Sequence, residues 1–193
     1  MKSLSIIVTT ILILSISNLF AQPTEGKWMF SGSTSFSFQS IKQKYKAGQF
    51  SVDAGSSTVF QITPQVGYTI LDNMVVGLEL GLTSANMGGM DIKQSSFVVG
   101  PFIKYYFDVN SPTVYPFASG AIGLGSEKEN YEGITGKTNF SAFGLGGGIA
   151  IFVRENISLD LGLSYVSKNS KYSDDENLIR NTILFGVGFV VFL

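Results

Sequence analysis

Ile183-Leu-Phe-Gly-Val-Gly-Phe-Val-Val-Phe-Leu193 decides how this chain folds. Every second residue, Ile183, Phe185, Val187, Phe189, Val191 and Leu193, is large and apolar, and the residues between them begin Leu184, Gly186, Gly188. An extended chain sends successive side chains to opposite faces, so this stretch is a strand with one greasy face and one small one. Such a strand suits a closed sheet crossing a bilayer. There the backbone groups must pair among themselves, and one face must meet lipid.

The same two-residue period recurs upstream. From Trp28 to Gln39, the aromatic residues Trp28, Phe30, Phe36 and Phe38 oppose Ser31, Ser33, Ser35 and Ser37. From Thr58 to Ile70, Phe60, Ile62, Val66 and Tyr68 oppose Gln61, Thr63, Gln65 and Gly67. Met74, Val76, Leu78, Leu80 and Leu82 then face away from Gly77, Glu79, Gly81 and Thr83, and Phe97, Val99, Ile103, Tyr105 and Phe107 from Ser96, Gly100, Lys104 and Tyr106. The fifth segment, Val114 to Gly125, is weaker, with Gly and Ala on both faces and only Ile122 and Leu124 standing out. Phe143, Leu145, Ile149 and Ile151 alternate with Gly and Ala, and Ile157, Leu159, Leu161, Leu163 and Tyr165 with Ser158, Asp160, Gly162 and Ser164. Counting the terminal stretch there are eight such segments. Their alternation outlasts the ~5–6 residues of an average soluble strand and suits the ~9–11 of a tilted strand crossing a membrane.

The two faces fix which side meets lipid. A soluble barrel turns its apolar face inward and shows charge to water. Here the less apolar face is mainly Gly, Ser, Ala, Thr and Gln, a poor water-facing surface but a good filling for a narrow interior. The apolar face carries no Asp, Glu, Lys or Arg in these segments, where each would cost roughly 2–4 kcal/mol at the bilayer midplane. Composition agrees: charged residues are 14% of the chain, against about 25% in typical soluble domains, and mean hydropathy is +0.27. No apolar stretch after residue 22 is long enough for a spanning helix.

Residues 1–21 read as a cleaved secretory signal, with Lys2 at the positive end, Ile6 to Ile16 as the apolar stretch, and a cut before Gln22. Residues 22–193 then form one barrel domain. The net charge of −1 offers no basic patch for nucleic acid, and with no Cys there is neither a disulfide nor a lipid-modified N-terminal Cys.

Connections alternate in length. Leu71-Asp-Asn73, Asp108–Thr113 and Arg154-Glu-Asn156 are short, and Asn suits tight reversal because it tolerates positive φ. Ser40–Ser57, Ser84–Gln94, Ser126–Thr138 and Ser167–Asn177 read as four long polar loops. Outer-membrane barrels alternate short periplasmic turns with longer extracellular loops in this way. Trp28, Tyr68, Tyr105 and Phe107 near the turns, with Phe38, Phe97 and Tyr165 near the loops, would form interfacial girdles.

Gly100-Pro-Phe102, Tyr115-Pro-Phe117, the Asp-Asn and Glu-Asn turns and the terminal strand together resemble the small OmpA/OmpX-type outer-membrane β-barrel proteins of Gram-negative cell envelopes. The likeness runs through residues 22–193. The Phe20-Ala-Gln22 signal end is similar to those common in Bacteroidota. The resemblance implies an all-β, eight-stranded antiparallel up-and-down transmembrane barrel, integral to the cell outer membrane. It also implies a terminal strand read by the barrel assembly machinery, which usually ends in Phe; here Phe192 is penultimate and Leu193 last. No peptidoglycan-binding domain is expected beyond residue 193, so the anchoring role of full-length OmpA proteins is not expected to carry over.

By parity Glu79, Lys104, Asp160 and Arg180 point inward. The first three are expected as an ion-pair cluster low in the barrel, with Arg180 nearer the loops; a gate in a narrow pore is the sharper alternative. Tyr106, Phe102 and Phe117 add inward bulk that favours a plug. Catalysis finds no support: there is no His or Cys to serve as base or nucleophile. Gly144-Leu-Gly-Gly-Gly148 lacks the Lys and helix of a phosphate loop, and Asp174-Asp-Glu176 lacks calcium-loop spacing. No cofactor or metal is implied.

The loops remain as candidates, with Lys42, Lys44, Tyr45 and Lys46 in the first and Lys171 and Tyr172 in the fourth. Basic residues beside Tyr suit anionic lipopolysaccharide headgroups or another extracellular ligand or surface. The expectation is therefore a filled barrel with a structural or surface-interaction role through four extracellular loops. A narrow, porin-like pore for ions or small solutes is the alternative.

Overall fold

The computed structural model describes residues 23–44, 51–87, 92–131, 134–173 and 176–193. Eight strands follow one another: β1 Trp28–Lys44, β2 Ser51–Leu71, β3 Met74–Met87, β4 Ile92–Tyr106, β5 Val114–Tyr131, β6 Ile134–Arg154, β7 Ile157–Ser173 and β8 Glu176–Phe192. Each pairs antiparallel with the next, and β8 closes on β1 from Met29↔Phe192 to Phe36↔Phe185, giving an eight-stranded barrel with no open edge. Closure satisfies the backbone internally, which a membrane-crossing sheet requires. The signal reading of residues 1–21 lies outside the described residues.

The two faces divide by parity. Leu124 is 69% exposed and Ile183 68%, whereas inward Met29, Val75 and Tyr106 are fully buried. Leu78, Phe97, Leu145, Leu163 and Phe185 lie on the same outer band, a continuous apolar surface far beyond the few hundred Å² that soluble monomers expose. Trp28 packs edge-on against Tyr68 at 5.3 Å, and Tyr105 against Phe107 at 5.0 Å, on the outer face near the short turns.

Two prolines sit mid-strand because each aims its missing N–H at one neighbour only. Pairing of β2 with β3 skips from Ile62↔Leu82 to Gln65↔Glu79 around Pro64, while Gly32↔Pro64 still pairs with β1. Likewise β4–β5 pairing skips around Pro101, while Leu78↔Pro101 holds on the other side.

At the short turns Asn73 (φ 67°) and Asn110 (φ 57°) take the left-handed conformation, and Asn156 does not; the β2–β3 and β6–β7 ladders both shift register just before their turns. The segment before β1 tucks against the β2–β3 turn: Asn73 N–H donates to the Pro23 carbonyl at 2.7 Å and Gly26 N–H to that of Thr69 at 2.9 Å.

The four stretches expected to be loops are largely strand. β5 pairs with β6 through Glu127↔Thr138 to Tyr131↔Ile134, and β7 with β8 through Lys168↔Arg180 to Ser173↔Glu176. Hydrophobic alternation stops there, but the hydrogen-bonded ladder continues. Connections at that end shrink to residues 45–50, 88–91, 132–133 and 174–175, all outside the described residues.

Candidate functional site in the barrel lumen

The lumen of an eight-stranded barrel is just wide enough for its own side chains, and here it is organised in levels. At the end bearing the short turns and both strand termini, inward Met29, Val75, Tyr106, Tyr115, Phe152, Val190 and Phe192 form a buried cluster with Phe117 packed against it. Tyr106 lies at its centre, with ring centroids of Phe117, Phe152 and Phe192 at 6.1, 6.3 and 6.1 Å, and Phe152 meets Tyr115 at 5.3 Å. Offset and edge-on rings at these spacings fill space and attract one another. Phe192 therefore points into this plug, and Leu193 is 69% exposed.

The next level holds the buried ion pair of Lys104 and Asp160. The ammonium also lies 4.1 Å from the Phe117 ring centroid and 4.9 Å from that of Tyr106, and Ser158 Oγ donates to Asp160 Oδ1 at 2.7 Å. The pair is thus desolvated, hydrogen-bonded and roofed by aromatic faces, the conditions under which a buried pair holds.

Glu79 does not join them. It stands opposite Gly100, whereas Lys104 stands opposite Val75, four residues and about 13 Å away along the strand. Its Oε2 accepts from Gln65 Nε2 at 2.8 Å, and Gln65 Oε1 in turn faces Ser31 Oγ at 3.4 Å. The expected three-member cluster is therefore a pair plus a separate carboxylate.

A third level lies toward the opposite end. Glu127, 2% exposed, pairs with Lys168, and its other oxygen lies 3.7 Å from Arg180 Nη1. Lys168 also sits 3.9 Å above the Phe140 ring. Arg180 reaches Gln94 Oε1 at 3.4 Å, and Gln94 Nε2 donates to Glu129 Oε1 at 2.8 Å. Glu127 and Lys168 had read as loop residues. Their inward parity becomes visible only once the ladder is known to continue past Gly125 and Val166.

Of the candidate surface residues, Lys42 and Lys44 fall at the end of β1 and Lys171 and Tyr172 at the end of β7. Tyr45 and Lys46 lie outside the described residues. Among the described residues there is no group of His, Cys, Asp and Glu arranged to hold a metal ion.

A closed barrel with an apolar girdle outside and a packed polar interior is a transmembrane β-barrel of the outer-membrane kind. The chain matches the outer membrane protein beta-barrel domain family over residues 7–190, and it belongs to that family. No curated protein matches it by sequence. By fold it is similar to Neisserial surface protein A, with a TM-score of 0.61 and 17% identity over 86% of this chain and 97% of that one. It is also similar to the N-terminal β-barrel domain of Pseudomonas aeruginosa OprF, with a TM-score of 0.51 and 11% identity over 88% and 98%. The outer membrane is accordingly its location.

Proposed function

We propose that this outer-membrane barrel is closed along its axis and acts structurally and through its surface, presenting four loops outside the cell with both termini in the periplasm. The observation that carries the reading is the plug. Tyr106, Tyr115, Phe152 and Phe192 occupy the bore at one end, and the buried Lys104–Asp160 pair sits directly beyond them. A water path for ions would have to pass both levels, which counts against the pore. The asymmetry of the ends supports the orientation: the short reversals share one end with Trp28 and Leu193, and the longer hairpins share the other. Lys42, Lys44, Tyr45 and Lys46, with Lys171 and Tyr172, are the residues proposed to meet lipopolysaccharide phosphates or another anionic surface. The terminal strand β8 is proposed to engage the barrel assembly machinery during insertion.

The chain has no Cys, so single cysteines report orientation cleanly. On intact cells a membrane-impermeant maleimide should label Lys46→Cys and spare Asn110→Cys; the reverse pattern would invert the barrel. With orientation set, replacing Lys42, Lys44 and Lys46 together by Gln should weaken binding of the refolded protein to lipopolysaccharide. Unchanged binding would remove the loops' proposed partner.

A further inference from the structure

Between the Lys104–Asp160 level and the Glu127 level the lumen is not filled. The small inward residues Ala121, Ala142 and Gly144 leave a chamber of about 140 Å³ there, with open space at the Gly144 Cβ position, whereas β5 closes against Gly100. Val98, Phe140, Val166 and Leu184 supply apolar wall; Glu79 lines one side, and Glu127 with its partners Lys168 and Arg180 lines the other end. The plug closes the chamber toward the termini. Arg180, with a side chain 32% exposed, lies at the other end and leaves that side open to solvent.

The charges of this interior do not balance locally. Asp160 has Lys104, and Glu127 has Lys168 and Arg180. Glu79 also lines the chamber, and it receives only the neutral amide of Gln65 among the described residues. Glu79 is half-buried; a partly desolvated carboxylate without a cation carries a cost, and a guest that brings one gains that interaction. A divalent metal is a poor candidate, because hard cations want six or more oxygens or a near-ideal octahedron, and Glu79 offers one carboxylate beside an amide already committed to Ser31. An ammonium needs only the one partner. The walls, meanwhile, suit an apolar body: a cavity of about 150 Å³ lined by aliphatic and aromatic side chains holds a benzene ring.

We infer that this chamber is a binding site for small primary amines with a compact apolar body, the ammonium on Glu79 and the body among Val98, Phe140 and Leu184. The site goes beyond the proposed surface role. It needs neither the loops nor a through-path, so loss of lipopolysaccharide binding would leave it standing.

The test uses benzylamine as the probe and benzyl alcohol as its uncharged counterpart. Each is titrated into the refolded full chain in micelles, with the Ala121 and Ala142 methyl resonances as the readout. Benzylamine should shift both methyls saturably and bind about tenfold or more tighter than benzyl alcohol. Glu79→Gln should erase that preference while leaving benzyl alcohol binding as it was. Gly144→Leu should abolish both, because a Cβ there meets nothing nearer than the Tyr165 carbonyl at 3.9 Å and the longer side chain fills the chamber. Equal affinity for the two probes in the wild type, or no saturable shift, would overturn the proposal without recourse to any variant. So would a Glu79→Gln protein that keeps the preference for the amine.

Discussion

Lys104 on β4 and Asp160 on β7, 56 residues apart in the chain, meet across the lumen with side chains no more than 8% exposed. The contact ties two walls separated by β5 and β6, so it braces the barrel's cross-section where ladder hydrogen bonds act only between neighbours. Arg180 and Gln94 make a second such tie, from β8 to β4, nearer the other end.

Removing one partner of the first brace should be costly. Asp160→Ala leaves the Lys104 ammonium buried against Phe117 and Tyr106 with no counter-charge, at about 3–5 kcal/mol. Equilibrium urea unfolding in micelles measures it. Lys104→Met combined with Asp160→Leu should recover most of the loss, because apolar residues of similar volume replace a buried pair at little cost. Single losses below about 1 kcal/mol, the range of an exposed pair, would mean that the pair is solvated.

The Tyr106 hydroxyl is buried without a hydrogen-bond partner among the described residues. Its ring fills the plug while its oxygen is a desolvated liability. Tyr106→Phe should therefore hold stability or raise it by up to about 1 kcal/mol. A drop beyond that in the same unfolding assay would show that the hydroxyl is bonded.

Two glycines should answer oppositely to a methyl group. At Gly100 a Cβ would run into the Ile122 carbonyl across the β4–β5 pair, so Gly100→Ala forces those strands apart. At outward Gly32 nothing lies within 4 Å of the added carbon, and Gly32→Ala should gain about 0.5–1 kcal/mol from reduced chain entropy. The fraction of protein showing heat-shifted gel mobility after refolding should fall sharply for the first and hold for the second. Equal behaviour would place the close approach elsewhere.

The outer face offers its own test. Leu163, 58% exposed near the middle of β7, should lie close to the bilayer midplane, where Leu163→Arg costs roughly 2–4 kcal/mol. The same substitution on a water-facing surface would be nearly neutral. Unfolding from lipid vesicles separates the two, and a neutral result would take lipid off this face.

Alternation alone made the barrel legible, because lipid contact forces an apolar residue at every outward position from Ile183 to Leu193. It also gave the facing of Lys104 and Asp160. It did not give depth. Parity sets the side of the sheet on which Glu79 lies, but the stagger between strands decides that Glu79 meets Gln65 and not Lys104. Glu127 and Lys168 escaped for a related reason. Their outward neighbours Ser126, Lys128 and Ser167 are polar, so the periodic signal ended while β5 and β7 continued. Asn156 was expected at positive φ beside Asn73 and does not adopt it; residue type tells that Asn tolerates the conformation, not that a given turn uses it.

Single-channel recording of the refolded protein in a planar bilayer tests the closed lumen most directly. Wild type should show no openings, and Glu79→Gln should stay silent, because the plug and the Lys104–Asp160 pair lie below that side chain. Steady wild-type conductance, with a selectivity that shifts in Lys104→Met, would contradict the closed barrel and make this chain a pore.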